Sequence, residues 1–269
     1  ETSARLTFPK IEPAAQLQWL LSRLDVLSPH LAPGLLERLV TAPDPETVYL
    51  WSDLRQVTVM MLSLPALPPL LAHWEDRAQL QVQVEQVSAA FVQVRDTIHR
   101  YDGIVNKIGI SPKGPYLMAL FGAPRAHEDD PLRALLAALE LQEYFDGQLQ
   151  FGINTGYVFA GDMGTAARRE YTVMGDEVNL AYRMMATCQP GEIWLGPTTY
   201  HHPAVRNRAE GRLGRGTRFK GKRDPITPFI AKGVQRAALL TVTESLPLVG
   251  RDEEFERLAR ALREVKQGQ

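Results

Sequence analysis

The sequence has little of the chemistry that marks several large classes of protein. Its one cysteine, Cys188, excludes an internal disulfide and fits a reducing compartment such as the cytoplasm. No apolar run reaches about 18 residues, so we expect no membrane-spanning helix. A formal net charge of −1 argues against a nucleic-acid-binding protein, because the phosphate backbone demands clustered positive charge. Cys188 lies in a helical stretch without a nearby histidine, and we interpret it as a buried small apolar residue.

Common motifs for phosphate loops and metal centres are also missing. GISPKGP, residues 109–115, departs from the Walker A pattern G-x-x-x-x-G-K-[ST]. His201 and His202 have no metal partner at a useful spacing, and we interpret them as a loop pair. The carboxylates of AHEDD, residues 126–130, are explained better by capping of a helix start than by a shared ion. The basic stretch 206–223 is interpreted as a solvated loop and hairpin.

Apolar periodicity predicts one mixed domain. The continuous apolar run at 57–64 predicts a buried strand, and apolar residues spaced by 3 and 4 from Leu80 to Ile98 predict a helix. Further strands are expected at 104–110, 116–121, 151–159, 170–174, 192–195 and 218–231, and further helices from Asp129 and over 176–188. The order β-α-β-β-α-β-β-α-β interleaves helices with hairpins. It favours an α+β, ferredoxin-like βαββαβ sandwich over a doubly wound parallel sheet.

The two ends differ from the centre in composition. Residues 1–50 are rich in proline and leucine and are predicted to be a linker or helical extension from a preceding domain. Residues 51–235 hold the periodic elements and are predicted to form the domain. Residues 236–269 contain a link and an amphipathic helix, which predict the start of a further domain. The chain begins with Glu1 in place of methionine, and we expect it to be a fragment.

One stretch, EYTVMGDEVNLAYRM at 170–184, combines a strand, a Gly-Asp turn and a helix with polar residues beside the turn. Asn179 and Arg183 are four residues apart on the flank of the apolar helix face, so they point the same way. Thr172 lies just before the turn. The spacing alone leaves two interpretations open, an active site and the rim of a core.

The surroundings of this stretch resemble the catalytic domain of class III adenylyl and guanylyl cyclases. The matching elements between 151 and 200 are GINTG, the AGDMG hairpin, YTV-x-GD-x-VNLA-x-R-M and GEIW…TTY. VTVMML, IVNKI…KGPYLMALFGAPRAHEDD and FKGKRDPITPFIAKG match in family order, so the resemblance runs from about 55 to 233. The NK…KGP insert is most similar to the second catalytic half of soluble adenylyl cyclases. In these multidomain proteins an AAA-type ATPase follows, and residues 248–256 resemble its opening.

The resemblance implies roles for individual residues. Lys107 and Thr172 would bind the purine, Asn179 would orient the ribose, and Arg183 would meet the transition-state charge on the phosphate. The family's two metal-binding aspartates fall on Ser63 and Pro115, or on Pro112 if the insert is placed differently. Neither residue type offers a carboxylate. We therefore expect this chain alone to bind no Mg²⁺ or Mn²⁺, and a partner half to supply the aspartates.

The resemblance thus implies the second half of an adenylyl-cyclase-type domain, which converts ATP to cAMP and pyrophosphate. Such a half would be inactive alone and would pair with a metal-bearing half from the same polypeptide or another chain. The alternative is a degenerate nucleotide-sensing or dimerisation module that forms a homodimer and regulates a linked ATPase. A scaffold is a third interpretation. ATP is expected over GTP because Thr172 follows the soluble adenylyl type.

Overall fold

The computed structural model describes residues 22–23, 52–64, 76–111, 114–165 and 168–235. The predictions for the two ends of the chain, 1–50 and 236–269, lie outside these ranges, except at residues 22–23. None of the described helices is long and apolar enough to cross a membrane.

The described residues form helices and strands in the predicted order. The elements are β1 (Asp53–Ser63), α1 (Arg77–Arg100), β2 (Ile104–Ser111), β3 (Gly114–Phe121), α2 (Asp130–Tyr144), β4 (Gln150–Thr165), β5 (Arg168–Met174), α3 (Asp176–Thr187), β6 (Ile193–Leu195), α4 (Pro197–His201), α5 (Pro203–Arg206), β7 (Ala209–Leu213) and β8 (Phe229–Val234). The α+β class is therefore confirmed.

The strands form one sheet whose first four members have the ferredoxin-like arrangement. The sheet order is β2-β3-β1-β4-β6-β8-β7, and β5 pairs with β4. β1 lies between β3 and β4 and pairs antiparallel with both. Thr58 of β1, for example, pairs with Phe121 of β3 on one side and with Thr155 of β4 on the other. The parallel pair β4–β6 is formed after the chain crosses over through α3.

Both faces of β1 are buried, which explains its continuous apolar sequence. Met60 and Leu62 point into a core that α1 and α2 cover. Val57, Val59 and Met61 point into a second core that α3 covers. The sheet is thus sandwiched between α1 and α2 on one face and α3 on the other.

Two local predictions are wrong, and a third is right in part. The strand predicted at 218–231 begins only at Phe229, because residues 214–228 form a connection in which Pro225 and Pro228 have no N–H to donate. The solvated loop and hairpin predicted at 206–223 is right in part, because the largely exposed strand β7 pairs antiparallel with β8, which lies beyond this stretch. His201 and His202 are not a loop pair, because His201 ends α4 and the His202 ring nitrogen accepts from the Ala204 N–H at the start of α5.

The contact between α3 and β4 depends on Gly152. A Cβ atom there would lie 2.1 Å from the Ala181 carbonyl oxygen and 2.5 Å from the Met185 backbone nitrogen. Gly152→Ala is therefore expected to lower the free energy of unfolding by about 3 kcal/mol, because the helix backbone must move away from the sheet. Urea denaturation measures this change. Gly216→Ala is the control, since its Cβ would lie 3.6 Å from Pro225, and equal midpoints for the two variants would contradict the prediction.

Candidate functional site

The first part of the candidate site lies where β2 meets β5. The Asn106 side-chain Nδ2 donates to the Tyr171 carbonyl oxygen at 2.8 Å. The Thr172 hydroxyl donates to Asn106 Oδ1, also at 2.8 Å. Asn106 lies at a register shift between Val105 and Lys107, and such a bulge re-aims a side chain. Two strands that are distant in the sequence are therefore joined by one amide side chain.

Lys107 follows Asn106 and makes a second link between the same strands. Its Nζ lies 3.4 Å from the Glu170 carboxylate, and both side chains are largely exposed. Thr172, in contrast, is only 3% exposed. The structure thus brings the two predicted purine-binding residues to the same pair of strands, one at the surface and one beneath it.

The second part of the site is formed by α3 and the connection 214–228. Asn179 lies near the start of α3 with an exposed side chain, and Arg183 follows one turn later. The Arg183 guanidinium donates to the backbone carbonyl of Lys220. Phe219 is buried against Leu180 and Met184, which anchors the connection to the helix. Arg183 is therefore oriented by the connection 214–228, which lies outside the stretch 170–184 that carries the arginine.

Lys222, in the same connection, was not among the predicted site residues. Its Nζ lies 2.5 Å from the Asp176 carboxylate and 3.2 Å from the Glu177 carboxylate. Partial burial lowers the pKa of Lys222, but the hydrogen bonds to Asp176 and Glu177 and their charges outweigh burial and raise this pKa above its ordinary value. Glu177 also accepts from Asn154 Nδ2 at 2.6 Å. The signal that could have identified Lys222 is its place in FKGKRD, within the stretch that resembles the terminal strand of the family.

The positions that the resemblance assigns to the metal-binding aspartates are neighbours in the sheet. Ser63 pairs with Tyr116, and the N–H of Leu64 donates to the Pro115 carbonyl at 3.0 Å. Ser63 Oγ accepts from the Gln150 N–H at 3.2 Å. Mg²⁺ and Mn²⁺ prefer carboxylate ligands, so this donor set does not fit either ion. Among the described residues, no group of three or more His, Cys, Asp or Glu side chains is placed to hold a metal ion.

Next to these positions, Tyr116 on β3 meets Tyr182 on α3. Their ring centroids are 5.0 Å apart at an interplanar angle of 63°, an edge-to-face contact. Tyr182 precedes Arg183, so this contact fixes α3 against the sheet beside the arginine.

The AHEDD segment is structural, but its contacts differ from the predicted ones. Asp129 precedes α2 without a side-chain cap, and its carboxylate accepts from the Arg133 guanidinium at 2.7 Å. Asp130 turns back to accept from the His127 N–H at 2.8 Å. Burial raises the pKa of Asp130, and its bonds to His127 act in the opposite direction. The segment borders a cavity of about 920 Å³ whose described lining residues include none of the predicted site residues.

Cys188 has the predicted role of a small apolar residue. It is 2% exposed and its thiol contacts backbone carbonyls, among them the Met185 oxygen at 3.3 Å. Nothing in these contacts activates the thiol as a nucleophile.

Comparison with known proteins identifies the family. The model for the adenylate and guanylate cyclase catalytic domain matches residues 56–232. The chain belongs to this family. The predicted recognition of a class III cyclase domain is therefore confirmed.

Individual relatives include a mammalian adenylate cyclase and an uncharacterized bacterial protein. The chain is 27% identical over 216 residues to adenylate cyclase type 10 of Oryctolagus cuniculus, and the match covers 76% of this chain and 13% of that protein. It is 31% identical over 150 residues to an uncharacterized protein of Mycobacterium tuberculosis, with 53% of this chain and 27% of that protein covered. The chain thus spans well under a third of the length of these relatives.

Solved structures show the same fold. The guanylyl cyclase Cya2 is 26% identical with a TM-score of 0.60, and the match covers 69% of this chain and 95% of that chain. The adenylyl cyclase CyaB from P. aeruginosa is 21% identical with a TM-score of 0.61, over 69% of this chain and 97% of that chain. The second likeness concerns the fold alone.

Proposed function

We propose that this cyclase domain is an adenylyl-cyclase-type second half that completes an ATP site shared with a metal-bearing half. The reaction is attack of the ribose 3′-oxygen on the α-phosphate, with loss of the 3′-hydroxyl proton and release of pyrophosphate. It is mostly a matter of positioning and charge stabilisation. The partner half would hold the metal ions on its aspartates, since Ser63 and Pro115 here offer no carboxylate.

The charge distribution around α3 is the observation that carries the proposal. The single ammonium of Lys222 is paired with the two carboxylates of Asp176 and Glu177. Arg183 is held by a carbonyl oxygen, which carries no formal charge. The bond to this carbonyl leaves the positive charge of Arg183 in place, and the charge can stabilise an anionic phosphate.

The purine end of the site would lie at β2 and β5. Lys107 and Thr172 belong to these strands, and both groups can hydrogen-bond a purine edge. Along the chain from β5 into α3, Asn179 follows Thr172 and precedes Arg183. The groups that would bind the purine, the ribose and the phosphate therefore follow one another in this order. This order supports a purine nucleotide as the substrate class for the shared site, and Thr172 favours ATP because it follows the soluble adenylyl type.

One observation favours a second candidate function, a nucleotide-sensing or dimerisation module. The edge strand β2 carries Ile108 and Ile110, which are 59% and 88% exposed. Exposed apolar residues on an edge strand suit contact with a second chain. Calorimetry separates the functions, because tight binding of ATP without metal would favour the sensing module.

The proposed role of the domain is tested by Asn179→Ala in the complex with a metal-bearing half. Loss of the ribose contact is expected to lower kcat for cAMP formation about a hundredfold, because the 3′-oxygen is no longer held in line with the phosphate. Asn207→Ala is the matched control, since Asn207 is an exposed asparagine at the end of α5. An unchanged kcat in Asn179→Ala would count against the proposed function.

A further inference from the structure

One stretch of the chain carries positive charge out of proportion to the rest. Residues 212–223 contain six lysine and arginine residues and no acidic residue. The other residues of the chain contain 24 lysine and arginine residues and 31 acidic ones, so their formal charge is −7. A chain that is nearly neutral as a whole is therefore strongly asymmetric, and a surface of one sign favours contact with a partner of the other sign.

Five of these six side chains are exposed and lie on β7 or on the connection 214–228. We call them the basic surface: Arg212, Arg215, Arg218, Lys220 and Arg223. Among the described residues, only Arg212 of this set has a carboxylate within ion-pair distance, since its Nη2 lies 3.8 Å from Glu192. The sixth side chain, Lys222, is half-buried and paired with α3. Most of the charge of the basic surface thus has no opposite charge beside it in the described part of the chain.

The basic surface is held in place by the backbone and by one buried side chain. The Thr217 N–H donates to the Ile226 carbonyl and the Ile226 N–H donates to the Thr217 carbonyl, both at 2.9 Å, which closes residues 217–226 into a hairpin. From this hairpin Phe219 packs against α3. The charges are therefore presented by a fixed backbone, which lowers the entropy cost of binding a partner.

The basic surface borders the wall of the site that carries Arg183. The Lys220 carbonyl accepts from the Arg183 guanidinium, and a Cβ atom on Gly221 would lie 3.6 Å from Arg183 Nη1. The proposed function puts the metal-bearing half opposite Arg183. The basic surface therefore lies at the edge of the proposed contact between the two halves.

We propose that the basic surface binds an acidic surface of the metal-bearing half, beside the shared ATP site. The inference rests on the proposed function and adds the chemistry of the partner's surface. Opposite charges speed the encounter of two proteins and fix their relative orientation. A nucleic acid fits less well, because Phe219 is the one aromatic residue of 212–223 and is buried, which leaves no ring for base stacking.

Charge reversal tests the inference with this chain and a metal-bearing half supplied as a separate chain. The test variant combines Arg215→Glu, Arg218→Glu and Arg223→Glu. Its affinity for the metal-bearing half is expected to fall about a hundredfold at about 0.05 M salt, mostly through slower association. At about 0.5 M salt the difference should shrink to about threefold, because salt screens exposed charges. Changing the same three residues to glutamine should cost about tenfold at low salt. Surface plasmon resonance measures both rate constants.

The matched control reverses three basic residues of α1, which lies on the other face of the sheet: Arg77→Glu, Arg95→Glu and Arg100→Glu. It changes the net charge by the same amount and should alter the affinity less than threefold. Equal affinity of the test variant and the unchanged chain at low salt would overturn the inference. An equal loss in the control would also overturn it, because the net charge and not the basic surface would then set the affinity.

Two other ligands of the basic surface are distinguished by further measurements. If the test variant raises KM for ATP while the affinity between the halves is unchanged, the basic surface serves the nucleotide and the inference is wrong. The inference is equally wrong if the chain binds vesicles of anionic phospholipid, the test variant does not, and the halves still associate with unchanged affinity.

The same measurements distinguish this inference from the proposed function. If the halves form cAMP in a reaction that depends on Arg183 while the test variant keeps its affinity, only the acidic contact is wrong. If the unchanged chain does not associate with a metal-bearing half, the proposed function fails, and the acidic contact fails with it.

Discussion

Arg183→Ala is expected to lower cAMP formation by the paired halves about a thousandfold. An arginine supplied across an interface to a phosphoryl group is worth at least this factor, because it meets charge that develops in the transition state. The loss should appear in kcat, with little change in KM for ATP, since the contact strengthens as the bond to pyrophosphate breaks. Steady-state kinetics of the complex measures both constants.

The structural role of Arg183 has to be separated from this catalytic role. The guanidinium also bonds the Lys220 carbonyl, and losing a hydrogen bond at a partly exposed position costs about 1 kcal/mol. A thousandfold loss corresponds to about 4 kcal/mol, so the structural contact is too small to explain it. Thermal unfolding of the variant should therefore change little.

Two controls accompany this variant. Arg206→Ala removes an exposed arginine at the end of α5 and should leave activity unchanged. Arg183→Lys keeps the charge but not the planar fork, so it should retain more activity than alanine and less than arginine. Activity of Arg183→Ala within threefold of the unchanged protein would contradict the assigned role.

The regular elements of the fold could be predicted because periodicity encodes them locally. The apolar spacing from Leu80 to Ile98 matches α1, and the run at 57–64 matches β1 with both faces buried. The order of these elements also leads to the ferredoxin-like sheet, since hairpins and crossovers leave few other arrangements. The connection 214–228 was mistaken in part for a strand, because its position depends on Phe219 packing against Leu180 and Met184 of α3.

The candidate site could be predicted only where its residues belong to one short sequence motif. Asn179 and Arg183 lie four residues apart on one helix, so their common direction follows from the sequence. Asn106 and Thr172 meet across 66 residues, and Lys222 and Glu177 across 45. Such contacts depend on how the strands and the connection pack, which no local pattern contains. The functional roles of these residues stay predictions.

Without a metal-bearing partner, the cyclase domain is expected to form cAMP at less than about a thousandth of the rate of the complex. Metal ions supply several kcal/mol of charge stabilisation in this kind of reaction, and each 1.36 kcal/mol is about tenfold in rate. The Ser63 hydroxyl already accepts a hydrogen bond from the Gln150 N–H, and the Pro115 carbonyl accepts one from the Leu64 N–H. Two copies of this domain would therefore bring two arginines to their shared sites, and positions 63 and 115 of both copies would offer no carboxylate to a metal ion.

The measurement is cAMP formation with Mg²⁺ or Mn²⁺ by the domain alone, by a metal-bearing half alone and by the mixture. Activity is expected in the mixture, where one wall carries the aspartates and the other carries Arg183. A metal-bearing half with both aspartates changed to asparagine is the matched control, and its mixture should fall to the level of the isolated domain. Arg183-dependent activity of the domain alone would show that Ser63 and Pro115 do not disable it, because a metal site would then have to be built from other residues of this chain.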